Sequence, residues 1–257
     1  MDPDGEGERM SGNRVALIAN AGGYVGPPLA RLLAADRHDL VLGRPGEGLV
    51  DECAAHGVTV LGVHDLPPEH DPGHAAALVA ATMGRFGRID AASTFTGRIL
   101  GGWFLDGATT EQLDTLTKGI INAPFEFLHA VAPIMVNQGQ GQILILTSAT
   151  AARPTPRAPL YSALRAGADH LVRNVAAEVA AHGVQVNAIG TNYMDFPQYW
   201  AAVGGETPER RAALEKQIPL GRMGKLDELA HLCKVFLDGR VGFATGQTIQ
   251  FDGGWSV

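Results

Sequence analysis

The sequence predicts an α/β protein, a single doubly wound Rossmann-type parallel sheet of about seven strands with helices on both faces. Three observations carry that expectation. Apolar runs of strand length recur along the chain, segments with helical spacing lie between them, and the strands are apolar throughout instead of alternating with polar residues. Continuous apolarity is what a strand needs when helices cover both faces of its sheet. A length of 257 residues, 46% hydrophobic and 18% charged, suits one such globular chain.

The strand runs are 14–19, 40–43, 58–63, 89–93, 142–147, 184–189 and 248–251, and the helical segments 28–35, 74–86, 110–136, 161–181 and 226–237. The first helix opens on Pro27 and Pro28, residues tolerated only where helix N–H groups lack partners anyway. No shift in composition divides the chain, so 14–257 reads as one domain. The acidic, Gly-rich start, 1–13, reads as a flexible tail with no apolar signal region. One irregular stretch, 190–206, carries Asn192, Tyr193, Asp195, Tyr199 and Trp200. In open α/β sheets the ligand lies beyond the carboxyl ends of the strands, so this loop should cover the site. Tyr199, Trp200, Trp103 and Phe104 fit either a substrate pocket or a subunit interface.

Charge and composition exclude several functions. A formal charge of −7 without any Lys/Arg run longer than two offers no footprint for nucleic acid or an anionic membrane. Nowhere do about 18 apolar residues run uninterrupted. Cys53 and Cys233 are too few for a disulfide framework, read as buried hydrophobes, and suit a reducing cytoplasm. The nine histidines show no ligand spacing, so no metal site is expected; His38, His70 and His182 read as solvated surface positions. Small-molecule chemistry is what remains.

The first turn bears on cofactor use. A dinucleotide-binding turn needs glycines so that backbone N–H groups can approach a pyrophosphate at a helix N-terminus. Here it reads Ala19-Asn20-Ala21-Gly22-Gly23-Tyr24-Val25-Gly26-Pro27-Pro28. Counted back from Gly26, a Gly-x-x-x-Gly-x-Gly spacing puts its other glycines at Asn20 and Tyr24. The Tyr24 side chain would fill phosphate and nicotinamide space, and two prolines remove two donors. Two observations point the other way: Gly22 and Gly23 can shift the loop, and Arg44, ending the second strand, can meet a 2′-phosphate.

The catalytic candidates are Ser148, at the end of the fifth strand, and Tyr161 and Arg165, four apart on one face of the helix that follows. This Ser-x12-Tyr-x3-basic spacing, the strand order and the closing Thr245-Gly246-Gln247…Asp252-Gly253-Gly254 resemble the short-chain dehydrogenase/reductase superfamily over nearly the whole chain after residue 13. The departures are Arg165 where that superfamily has Lys, Thr94-Phe95-Thr96-Gly97 where it has Asn-Asn-Ala-Gly, and Ile120, near Asn122, where it has a helical active-site Asn. A Ser-Tyr-Arg set beside a plugged turn is similar to the halohydrin dehalogenases, most of all the branch acting on bulky and cyclic epoxides. Thr147-Ser148-Ala149-Thr150 with Arg165-Ala166-Gly167-Ala168, and Ala188-Ile189-Gly190-Thr191-Asn192-Tyr193, agree in detail. That resemblance implies no cofactor, a homotetramer, and a halide or nucleophile site at Tyr24, Thr191, Asn192, Tyr193 and Met194. It also implies an acid near Thr96 to support the Arg, and Thr96 is not one.

The residue types give a mechanism. Ring closure of a vicinal halohydrin needs a base for the hydroxyl and a cradle for the departing anion. Phenol ordinarily ionises near pH 10, but a guanidinium about 4 Å away at an effective dielectric near 20 favours phenolate by roughly 4 kcal/mol before screening. Tyr161 is then the base, Ser148 holds the substrate oxygen, and backbone N–H groups at 192–194 with aromatic edges take the halide. The same cradle should admit azide, cyanide or nitrite for epoxide opening. Two other functions stay open: an NADPH-dependent carbonyl reductase with Arg for Lys, and a silent binding module.

Overall fold

The computed structural model describes residues 12–95, 97 and 101–257; most of the expected tail, and Thr96, fall outside them. Seven parallel strands, β1 (Val15–Ile18), β2 (Asp39–Gly43), β3 (Val60–Val63), β4 (Ala91–Phe95), β5 (Gly141–Ser148), β6 (Val184–Thr191) and β7 (Thr248–Phe251), form one sheet in the order β3-β2-β1-β4-β5-β6-β7. The order reverses between β1 and β4, and a crevice opens there at the carboxyl ends of the strands. Register pairs Ser148 of β5 with Thr191 of β6, which brings the candidate hydroxyl to the halide-loop candidate.

Helices cover both faces, as the unbroken apolarity of the strands requires. On one, Ile18, Leu42 and Leu144 pack under α1 (Gly26–Ala35), α2 (Leu49–Ala54) and, across the sheet, α10 (Leu226–Val235). On the other, Leu17, Val41 and Ile143 pack under α3 (Pro72–Phe86), α6 (Ala123–Gln138) and α7 (Pro159–Val179). Neighbouring residues of one strand thus feed opposite cores.

Three elements depart from expectation. The short α2 escaped notice because six residues carry less than two turns of periodicity. The expected helix 110–136 is α5 (Thr110–Thr117), a π-turn over Lys118–Asn122, and α6. Its apolar stretch is long enough to cross a membrane, yet Phe127, Val131 and Met135 sit in the core, as in a core helix. The stretch over 190–206 is not wholly irregular: it contains α8 (Pro197–Ala202), and α9 (Pro208–Glu215) follows it. A short α4 (Phe104–Gly107) precedes α5. His38, expected at the surface, is buried, because the turn after α1 folds back and its N–H bonds the Leu33 carbonyl at 3.0 Å.

Candidate functional site

A cleft of about 1170 Å³ runs along the carboxyl edge of the sheet, from Arg44 and His74 at one end to Tyr199 at the other. Ser148, Tyr161, Arg165 and all five halide-loop candidates line it. Ser148 ends β5, and its hydroxyl donates to the Thr191 carbonyl at 3.3 Å while accepting from the Thr150 hydroxyl at 3.0 Å. Strand pairing and helix cap together fix the Oγ position.

Tyr161 stands in the first turn of α7 with Arg165 one turn on, both buried. The Arg165 Cζ lies 5.0 Å from the centre of the Tyr161 ring, which puts a permanent cation over the phenol face. Room for this long side chain comes from Gly97, whose φ is +77°. A Cβ there would stand 2.6 Å from Ile120 and 3.3 Å from Arg165 Nη2, so a side chain at 97 and the guanidinium compete for one space. Ile120, expected in place of an active-site Asn, is fully buried in the π-turn and packs against that glycine.

Tyr24 adopts φ +49°, a left-handed conformation that costs a side-chain-bearing residue roughly 1–2 kcal/mol. Three contacts hold it there. Its hydroxyl donates to Thr191 Oγ1 at 2.8 Å, and its ring lies 5.3 Å from Phe95 and 4.7 Å from Phe196. Such aromatic pairs contribute about 0.5–1.5 kcal/mol each, enough to offset the strain. Burial raises the ionisation of this phenol, so it stays neutral beside Tyr161 and Arg165. Around it the turn is rigid: the Asn20 amide donates to Glu69 at 2.8 Å, and its carbonyl oxygen accepts from Thr94 and the Phe95 N–H. A Cβ on Gly26 would sit 2.2 Å from the Asn20 carbonyl, which ties this glycine to packing of the turn.

Arg44 is exposed and lines the cleft. Its Nη2 is spent on the Leu66 and Pro67 carbonyls, the latter at 2.8 Å, so the side chain straps the loop after β3.

The loop after β6 divides its labour. Thr191 receives the Tyr24 hydroxyl and caps the cleft. The Asn192 side chain accepts from the Tyr193 N–H at 2.9 Å, which removes that N–H from any anion cradle. Tyr193 turns into a cluster with Tyr199 and Trp255, its hydroxyl donating to Gln217 at 3.1 Å. Met194 is buried in the core and also borders the cleft. Tyr199 lines the cleft; Trp200 backs it, its indole N–H donating to Asp195 at 2.8 Å, while Trp103 and Phe104 are exposed. Arg211 of α9 clamps this flap by pairing with both Asp195 oxygens at 2.9 and 3.1 Å. Hydrogen bonding to Arg211 holds the Asp195 carboxyl below its ordinary range.

Sequence reasoning missed Phe95 and Phe196, which clamp Tyr24, and Asp169, buried one turn beyond Arg165. Only Asp169 left a signal, as a charged residue at helical spacing on an otherwise apolar face.

Comparison with known proteins agrees with this architecture. A family model described as enoyl-(acyl carrier protein) reductase matches residues 28–256. An A-factor type gamma-butyrolactone 1'-reductase (1S-forming) of Streptomyces virginiae is 30% identical, with 95% of this chain and 96% of that protein covered. The 3-oxoacyl-[acyl-carrier-protein] reductase FabG of Staphylococcus epidermidis is 25% identical over 94% and 98%. Among solved structures, levodione reductase superposes with a TM-score of 0.84 at 28% identity, covering 95% and 98%. A short-chain type dehydrogenase/reductase from Mycobacterium marinum gives 0.81 at 25%, covering 95% of each chain. With a family match across nine-tenths of its length and a Ser-Tyr pair set at the carboxyl edge of a seven-stranded parallel sheet, the chain belongs to the short-chain dehydrogenase/reductase superfamily.

Proposed function

We propose that the protein is a cofactor-independent halohydrin dehalogenase, interconverting vicinal halohydrins with epoxides and halide. One observation carries the reading: Tyr24 is held in a strained conformation at the turn where a nicotinamide dinucleotide would need a glycine. Its ring is wedged between Phe95 and Phe196 and its hydroxyl is bonded to Thr191. The residues of this turn fit such a coenzyme poorly. Besides the ring, Pro27 and Pro28 take two donors from the start of α1.

The chemistry asked of the chain is a proton transfer and an anion departure. Tyr161, with the Arg165 cation over its ring, takes the substrate hydroxyl proton. The oxygen closes on the neighbouring carbon as the carbon–halogen bond breaks and its electron pair leaves with the halide. Ser148 donates to the same oxygen and orients it. The departing halide lies toward Thr191 and the Asn192 backbone, against the aromatic edges of Tyr24 and Phe196. In reverse, protonated Tyr161 serves as acid while halide, azide, cyanide or nitrite opens the epoxide.

A second reading, an NAD(P)-dependent carbonyl reductase, is favoured by the relatives, which are named as reductases. On kinship it stands first. The residues of the turn favour the dehalogenase, since identity near 30% is spread over the whole fold whereas cofactor use is decided by a few positions. Halide release from a panel of vicinal bromo-alcohols without nicotinamide tests the first reading, and tryptophan quenching by NADPH tests the second. Saturable micromolar quenching with no halide released makes the protein a reductase. We further propose a cytoplasmic homotetramer, supported by the buried free thiols Cys53 and Cys233 and by exposed Leu113, Phe125 and Phe243; sedimentation should give the mass of four chains.

A further inference from the structure

We infer that Thr150 is a positioning residue, the group that makes Ser148 an obligatory hydrogen-bond donor and holds it in register with Tyr161. This rests on the reading above, in which Ser148 donates to the substrate oxygen and Tyr161 takes its proton. A serine hydroxyl has one proton to give and two lone pairs with which to accept. At Ser148 both lone pairs are met by one residue: the Thr150 hydroxyl donates to Oγ at 3.0 Å and the Thr150 N–H at 3.3 Å. The Ser148 proton goes to the Thr191 carbonyl at 3.3 Å, longer than a strong O–H bond to oxygen. Ser148 Oγ can therefore change only the target of its proton, from that carbonyl to a substrate oxygen in the cleft.

Thr150 is placed for this task. It is buried and borders the cleft together with Ser148 and Tyr161. Its carbonyl accepts from the Ser162 hydroxyl at 2.5 Å, and Ser162 follows Tyr161 in the first turn of α7. One residue thus reaches both arms of the pair, its hydroxyl gripping the end of β5 and its carbonyl the start of α7. The N–H bond to Ser148 is the cap of the short turn over Ala149–Ala151, and most residues at 150 would supply it; the hydroxyl is what threonine adds. Hydroxyls bonded in series polarise one another, so a Ser148 that accepts from Thr150 is the stronger donor toward charge developing on the substrate oxygen. With its lone pairs filled, Ser148 does not compete with Tyr161 for the substrate proton. Without the Thr150 hydroxyl one lone pair opens, and Ser148 can accept that proton's hydrogen bond, which points the proton away from Tyr161.

Thr150→Val keeps the shape of the side chain and removes its hydroxyl, whereas Thr150→Ser keeps the hydroxyl. In turnover of a vicinal bromo-alcohol, T150V should lower kcat about tenfold with KM little changed, and T150S should return it to within about twofold of the parent. In a Ser148→Ala background T150V should cost nothing further, because Thr150 acts through the Ser148 oxygen. An unchanged kcat in T150V, a T150S as slow as T150V, or a loss that persists undiminished without Ser148 overturns the inference. Melting curves without substrate read the bond itself: T150V should lower the melting temperature of the parent and lower that of Ser148→Ala less or not at all. Equal lowering in both refutes the assignment whatever the protein turns over. If the parent releases no halide, the dehalogenase reading alone fails, and the melting comparison, with kcat of the same variants on a ketone and NADPH, still decides the role of Thr150.

Discussion

The two ends of the cleft differ in how far they keep the chemistry of the superfamily. At the β5 to α7 end, Ser148 and Tyr161 are placed by strand pairing and helix geometry, and a single change, Arg for Lys, turns a titratable point charge into a permanent planar cation. At the β1 to α1 end the backbone path is kept and the glycine is replaced by a strained tyrosine braced by three partners. On the proposed reading the proton-transfer pair and the anion site are held by different loops, so the one can be kept while the other changes.

That contrast is broken most directly at Tyr161. Replacing it with Phe removes the proposed base and should cut halide release by about 10²–10⁴-fold with circular dichroism unchanged; surviving turnover would take Tyr161 out of the mechanism. Arg165→Lys should come next, at roughly tenfold in kcat, with the alkaline side of the pH profile drawn in because Lys can deprotonate. An unaltered profile would separate the cation from the phenol. Tyr24→Gly acts on the other end. It relieves the left-handed strain but loses ring packing, and should weaken bromide inhibition by about tenfold, or 1.4 kcal/mol. If NADPH then quenches tryptophan where it did not before, Tyr24 was the plug.

Smaller effects test the flap and the far helix. Arg211→Ala unlatches Asp195 and should raise KM a few-fold with kcat held, an effect that high salt mimics in the parent. Glu228 is held down to about 2, first by Arg222 and then by the Lys225 N–H. A folded-state value below the ordinary 4.5 means stability present above that pH and lost as pH falls toward 2. Because the pair is more than a third exposed, Glu228→Gln should cost under about 1 kcal/mol in thermal melts at neutral pH and nothing below pH 2.

Ser148, Tyr161 and Arg165 were legible because their spacing is imposed by one strand end and one helix turn. Thr191 was named only through the family resemblance, and the structure sets it in register with Ser148. Tyr193 and Met194 were not, since a loop backbone can send consecutive side chains to different cores. Arg44 suggested a phosphate partner by its position at the end of β2, and the bond from its Nη2 to carbonyls in the loop after β3 was not legible in the sequence. The flap helix α8 was hidden by its six-residue length and by the prolines and aromatics around it.

Taken alone, the chain of residues determined the parallel sheet, the layers on its two faces and the helix that aligns phenol with guanidinium, because these follow from unbroken apolar runs of strand length and from a helical repeat of about four residues. Only the tertiary structure decided that Tyr24 is locked by Phe95, Phe196 and Thr191 and that Gly97 yields space to Arg165. Those contacts join residues as many as 167 positions apart, and no local pattern encodes such distances.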